Sequence, residues 1–255
     1  MEKIIIRESK NIDCSSLKSE ASFAIGDNEN LSLYLNNVEE LNSLNFDIGE
    51  GSNVQLSLFV QKAVKQSKIL ANVRKNSKIT VFYADFSTEE NHFEAAINLN
   101  DDEASCEWHL ASLSEKNDDK SISVSMYHNH PNTHGKIDNY GVCKGRSSLV
   151  FSGISHIEKG CHQSTSHQNA KIVVFDNDCK AIAKPILKID ENDIEASHAA
   201  VVGKVSDEHI FYLTSRGLSV DEAKLLITLG YLKPILRGFN ESTQNEINSL
   251  IEGRL

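Results

Sequence analysis

Two groups of residues in this 255-residue chain carry ligand chemistry. The denser is Tyr127-His128-Asn129-His130-Pro131-Asn132-Thr133-His134. On a strand, His128 and His130 share one face, and His134 can fold back beyond Pro131. Neutral imidazole is a common metal ligand, so the segment offers donors for a divalent ion. No acidic or thiolate ligand adjoins it, which favours a polar corner with solvated histidines.

The second group is five cysteines, at 14, 106, 143, 161 and 179. There is no Cys-x-x-Cys pair for a zinc knuckle or thioredoxin-like site, and an odd count without an export signal does not make a disulfide framework. Cys143, Cys161 and Cys179 follow one another at 18-residue intervals. The spacing favours small buried residues filling one slot on successive coils over a soft thiolate ligand for iron, copper or zinc. His198 lies one such interval plus one position beyond Cys179. If the interval is one coil, the two Cα atoms are about 6 Å apart, with side chains on opposite faces unless a corner or bulge intervenes.

Other chemistries are excluded. The chain has no Gly-x-x-x-x-Gly-Lys-Ser/Thr and no Gly-x-Gly-x-x-Gly, so it lacks a phosphate cradle. Gly-x-Ser-x-Gly and His-Glu-x-x-His are also absent. A net charge of −10 argues against nucleic acid or an anionic membrane as principal partner. No apolar run approaches a membrane span, and the short Ile4–Ile6 stretch does not make a secretory signal. The expected location is the cytoplasm.

The elements that must position these residues are short alternating segments: Val54–Phe59, Ile79–Phe86, Phe93–Leu99, Ser121–Tyr127, Ser148–Ile154, Lys171–Phe175 and Ile186–Ile189. An 18-residue register stacks Ile154 with Ile172 and Thr165 with Ala183, and puts Lys144, His162, Lys180 and His198 in one column. A period of this size matches one coil of a parallel β-helix, and a β-sandwich with a chance 18-residue echo is the alternative.

After Val205 the period becomes helical. Ser206 is an N-cap followed by Asp207 and Glu208, with Gly217 as the stop. Ser219–Glu222 and Thr243–Glu246 read as capping boxes. These helices close the solenoid or dock a partner. The expected division is an N-terminal cap and opening coil over 1–50, with a short helix around Val38–Leu44, a β-helix core over 51–205, and a helical region over 206–255.

The half of the chain containing Cys179 and His198 resembles the SufB/SufD family of iron–sulfur cluster assembly scaffolds. The resemblance runs through Gly145-Arg146-Ser147-Ser148-Leu149-Val150-Phe151-Ser152-Gly153, Asp178-Cys179 and Lys184–Ile189. It continues through Ala196-Ser197-His198-Ala199-Ala200-Val201-Val202-Gly203 and Ile210-Phe211-Tyr212-Leu213-Thr214-Ser215-Arg216-Gly217-Leu218.

The resemblance implies a mainly β protein, a right-handed parallel β-helix with a C-terminal α-helical region. It also implies a non-catalytic scaffold that pairs through its β-helix and carries an ABC-type ATPase, SufC, on its C-terminal helices. His198 falls at the interface histidine of the SufD branch, and Cys179 at the cluster-scaffolding cysteine of the SufB branch. One chain holding both implies a homodimer, although a SufB/SufD-type heterodimer stays open. Two Cys179 thiolates and two His198 imidazoles would then hold a transient iron–sulfur cluster at the interface, fed by a sulfur donor.

Two departures stand out. Ala196 replaces a cysteine often found two residues before the histidine, and the N-terminal helical domain of many relatives is not seen. The competing functions are a metal-binding interaction module using His128–His134 and a β-helix carbohydrate-active enzyme. The latter is disfavoured by the acidic charge.

Overall fold

The computed structural model describes residues 3–17 and 19–254. Sixteen strands wind into two parallel eight-stranded sheets. One sheet runs β1 (Lys3–Ile6), β3 (Glu20–Ile25), β5 (Ser43–Ile48), β7 (Val64–Val73), β9 (Glu90–Leu99), β11 (Asp119–His128), β13 (Ser148–Ile157) and β15 (Lys180–Ile189). Facing it are β2 (Lys10–Asp13), β4 (Asn30–Asn36), β6 (Asn53–Val60), β8 (Lys78–Asp85), β10 (Ser105–Ser114), β12 (His134–Cys143), β14 (Ser164–Val174) and β16 (Ile194–Lys204). Successive strands alternate between the sheets, so the chain is a parallel β-helix.

Strict two-residue alternation makes each strand serve the solenoid. In β11, Ile122, Val124, Met126 and His128 point into the lumen, while Ser121, Ser123, Ser125 and Tyr127 face outward. The lumen is filled by stacked side chains. Phe23 lies over Phe46 with ring centroids 5.1 Å apart, and Tyr83 packs on Trp108 at 5.9 Å.

Coil length is where the structure departs from a constant interval. The pairing Lys3↔Ser22 is close to the expected spacing, Ser43↔Lys68 and Ser105↔His134 exceed it, and Ser148↔Lys180 exceeds it most. The coils widen along the chain. Ile154 therefore pairs with Ile186 rather than Ile172, and Lys180 with Ser148. The regular spacing of the three cysteines is a coincidence of turn positions.

Turns hold this register. Asn28, Gly51, Asn76, Glu103, Asn132 and Gln163 have positive φ at one corner of successive coils. Three short polar side chains and a glycine among them suit the left-handed region. Their amides reach along the stack: Asn28 N donates to Glu50 O, Gly51 N to Lys75 O, Asn76 N to Asp102 O and Asn132 N to His162 O. The opposite corner includes Glu89, Lys116 and Gly145, also at positive φ.

The segment up to Ile48 contributes five strands to the solenoid, and the helix expected near Val38–Leu44 shrinks to a 3-10 turn at Val38–Glu40 before β5. At the other end, β16 stops at Lys204 and α1 (Asp207–Ser215) begins after the Ser206 N-cap, with Gly217 at φ 97° beyond its end. The Ser219–Glu222 capping box opens α2 (Val220–Leu232). The last helix, α3 (Glu241–Gly253), starts earlier than the Thr243 box predicts. Asn240 is its N-cap, accepting from Thr243 N at 3.0 Å.

The last two helices pack on the side of the solenoid rather than across its end. α2, α3 and the turn between them lie along the outer face of the β16-containing sheet, where Phe59, Phe82, Phe86, Leu113 and Val142 meet Leu232, Ile235, Phe239, Ile247 and Ile251. Each large side chain buried there contributes about 1.5–3 kcal/mol. Covering both faces explains why β8 reads as an unbroken apolar run, Val81-Phe82-Tyr83-Ala84. Gly238 fits flush against the sheet: a Cβ there would strike the Phe82 ring, while its carbonyl accepts from Ser57 Oγ at 2.6 Å. Arg237 donates to the His109 ring at 2.7 Å, fixing the same connection.

Candidate functional site

The wide end of the solenoid is open. β15 and β16 are the last strands of their sheets, and each presents a free backbone edge ten or eleven residues long. Ile182, Ile186, Ile189, Val201 and Val202 are exposed there. Edges of this length invite pairing with another strand.

Cys179 stands at one corner of this end. It closes the turn between β14 and β15, its amide bonded to Asp176 O. Asp176 Oδ2 in turn accepts from Gly145 N at 2.6 Å, tying the turn to the one below. Gly145 is required there, since its φ is +72° and a Cβ would press on the Lys116 backbone. The Cys179 thiol donates to Gly145 O at 3.5 Å. The other four cysteines are buried, and Cys179 is half-buried.

Its neighbour is Cys143, whose sulfur contacts Ser147 Oγ at 3.1 Å. Burial, opposed by Ser147 and reinforced by the adjacent Cys179 sulfur, pushes the Cys143 thiol up to about 12. Cys143 and Cys179 thus meet at one corner. Cys161 does not join them, because it lies in the turn after β13, bonded to Glu158 O.

His198 is on β16, paired with Gln168. Parallel partners point the same way, and Gln168 is buried in the lumen, where it bonds Ser155 Oγ at 2.7 Å and Ile186 O at 3.1 Å. The exposed His198 ring therefore faces the open mouth of the solenoid. It does not lie beside Cys179. Cys179 sits at the Val174 end of β14, and His198 is level with Gln168, so about 20 Å along the strand direction separates them. The expectation of adjacent Cα atoms rested on a short, constant coil, which the register overturns.

The His128–His134 segment does not converge. His128 points inward and is fully buried, its Nδ1 2.8 Å from Thr133 Oγ1. His134 points outward, 2.9 Å from Thr165 Oγ1 and 3.6 Å from Glu103. His130 stays in the turn near Pro131 O. The solvated-corner reading fails for His128, because Thr133 turns the chain so that this ring closes the lumen. A different cluster is hidden from the sequence. His156, Glu158 and Asp190 bring ligand atoms within 4.8 Å of one another, but Asp190 arrives from the next coil, which only the register reveals.

Among the described residues no helix is long and apolar enough to cross a membrane. Residues 19–231 match the SUF system FeS cluster assembly, SufBD core domain family. The chain is 32% identical over 137 residues to the iron–sulfur cluster assembly protein SufD of Bacillus subtilis, covering 53% of this chain and 31% of that protein. It is 33% identical over 129 residues to an iron–sulfur cluster assembly SufBD family protein of Mycobacterium bovis, covering 51% and 15%. A Staphylococcus saprophyticus member of that family is 30% identical over 129 residues, covering 51% and 28%. The aligned region spans less than a third of each of these relatives. With a match over most of its length and a parallel β-helix beneath it, the chain belongs to the SufBD family of iron–sulfur cluster assembly proteins.

Proposed function

We propose that this chain is a scaffold for iron–sulfur cluster assembly that pairs with a second copy through the open edges of β15 and β16. The observation that carries the reading is the placement of both ligand-type residues at that one uncovered end: half-buried Cys179 at a corner and exposed His198 at the mouth. Thiolate sulfur holds iron and imidazole can replace it, so the donor set suits the cluster as cargo.

The separation of the two residues within one chain reshapes the ligand set. A single site with two thiolates and two imidazoles cannot form across about 20 Å. A two-fold axis midway between them would instead set Cys179 of one protomer against the partner subunit's His198, twice. Residues 51–205 would supply the pairing core. Residues 206–255 would dock an ABC-type ATPase of the SufC kind, to which the exposed Phe211 and Tyr212 of α1 offer an apolar contact. The ATPase supplies the nucleotide chemistry this chain lacks, a separate donor supplies sulfur, and the scaffold itself is non-catalytic.

Anaerobic reconstitution with iron and sulfide, followed by visible absorption, tests the reading. Cys179→Ser and His198→Ala should each remove most of the chromophore while the fold persists. A full chromophore in the double variant would refute the assignment. Co-purification with an ABC-type ATPase, lost on disruption of α1, tests the docking region separately.

A further inference from the structure

The lumen contains a second set of donors that the cluster reading does not use. At the turn-side end of β11, His128 has 0% exposure and its Nε2 has no hydrogen-bond partner. Its Nδ1 is engaged by Thr133 Oγ1 at 2.8 Å, and Thr133 Oγ1 itself can donate to His130 O. Thr133 Oγ1 also lies 2.8 Å from Ser164 Oγ. When the Thr133 hydroxyl donates to His130 O it accepts from Nδ1, which then carries the imidazole proton and leaves the Nε2 lone pair directed into the lumen, the orientation that an outer hydroxyl gives to a metal-binding imidazole. Burial pushes His128 down to about 4, so the ring is neutral at ordinary pH.

The ring lies over Gly135. A Cβ built on Gly135 would strike Met126 Sδ and come within 2.8 Å of His128 Nε2, so thioether and imidazole converge over that glycine. Gly135 is the register partner of Cys106 on one side and of Ser166 on the other. Cys106 is 1% exposed and faces the same lumen, about 4.8 Å away along the stack. β11 follows β10 and precedes β12 in the chain and faces both strands from the opposite sheet, so Met126 and His128 lie across the lumen from the corner that carries Cys106 and Gly135.

We propose that Cys106 Sγ, Met126 Sδ and His128 Nε2 form a buried three-coordinate site for a soft monovalent cation, copper(I). A thiol, a thioether and an imidazole are a soft donor set. Charge selects the oxidation state. The surrounding wall is Leu99, Ile137 and Ile157, all 2% exposed or less, where an uncompensated ion is costly. One thiolate neutralises Cu(I), whereas Zn(II) would leave a net positive charge. On binding, the Cys106 S–H bond breaks and an S–Cu bond forms. The proton leaves to solvent, and copper remains Cu(I) throughout. The rival occupant is a water bridging His128 Nε2 to Ser166 Oγ, which is also without a partner.

The test uses the full chain carrying Cys179→Ser and His198→Ala, so that the two residues assigned to the cluster contribute nothing. Anaerobic titration with Cu(I) against a chromophoric Cu(I) chelator should show one tightly held equivalent. X-ray absorption should show two sulfur scatterers and one nitrogen. Cys106→Ala should weaken binding by about a hundredfold, and Met126→Leu, which conserves volume, by about tenfold. If Cys106→Ala does not fold, Met126→Leu decides. No uptake against the chelator, or equal uptake by both variants, overturns the site in favour of the water bridge or a surface ion.

Discussion

Lys120 Nζ lies 3.1 Å from Asp85 Oδ2, and both side chains are completely buried beside the lumen. The ammonium also donates to Ser87 O at 2.8 Å and Leu113 O at 2.7 Å, while Ser112 and Ser87 hydroxyls donate to the carboxylate. The pair joins three coils, because β8, the turn after it and β10 are all bonded by groups that meet at Lys120 of β11.

Removing one partner leaves the other charge stranded, so Lys120→Met or Asp85→Asn should cost about 3–5 kcal/mol in urea unfolding. The double variant Asp85→Leu, Lys120→Met should recover only the charge part of this loss, since the Ser87 and Leu113 carbonyls still lack a donor. Full recovery would show that those carbonyls find other partners.

The same pair sets an acid limb. Burial alone would raise the Asp85 carboxyl, but Lys120 and the donating hydroxyls hold it below the ordinary carboxylate value. A group whose folded value is depressed adds stability that is full above the unfolded value, about 3.9, and declines as pH falls toward the folded one. Stability measured from pH 5 downward should fall through this window, and less steeply in Asp85→Asn.

Thiol access gives a third prediction. Of the five cysteines, only Cys179 is better than buried, so a brief pulse of alkylating reagent on the native protein should label it alone. Mass spectrometry should find the remaining four modified only after unfolding. Rapid native labelling of Cys143 would mean that the Gly145 turn opens.

At the helical face, Gly238→Ala must displace the Phe82 ring. The expected cost is about 1–3 kcal/mol, with faster amide exchange in α2 and α3 and unchanged protection in β11. Equal loss of protection in both places would mean that helices and solenoid unfold as one unit.

Val202 shares a register position with lumen-facing Ile172 and is exposed at the mouth. A lysine there puts an inward-pointing charge on the open edge. Val202→Lys should shift sedimentation toward the monomer without altering the far-ultraviolet spectrum. An unchanged sedimentation coefficient would place the pairing surface elsewhere.

How far the residues themselves foretell this architecture depends on where their side chains point. Alternation in Ser121–Tyr127 and Ile79–Phe86 marks strands because one face of each is filled with apolar residues, and Ser206 and Ser219 announce helices through their caps. β10 and β12 escape notice: Trp108–Ser114 is buried on both faces, and His134–Cys143 is interrupted by Gly135 and Gly141. Coil length is illegible because turns of unequal size separate the strands. That one hidden quantity misplaces His198 relative to Cys179 and conceals the inward turn of His128. Cys179 itself is singled out by the resemblance and by a spacing that proves accidental.

The widening coils make the two ends of the solenoid unlike. The narrow face offers four-residue strands, β1 and β2, and the wide face strands of ten and eleven. A wide face laid on a narrow one would leave more than half of each long strand bare, whereas wide against wide can match along its whole length. In the pairing proposed above, two wide faces would satisfy backbone along the full length of β15 and β16, and the contact would close on itself after two copies.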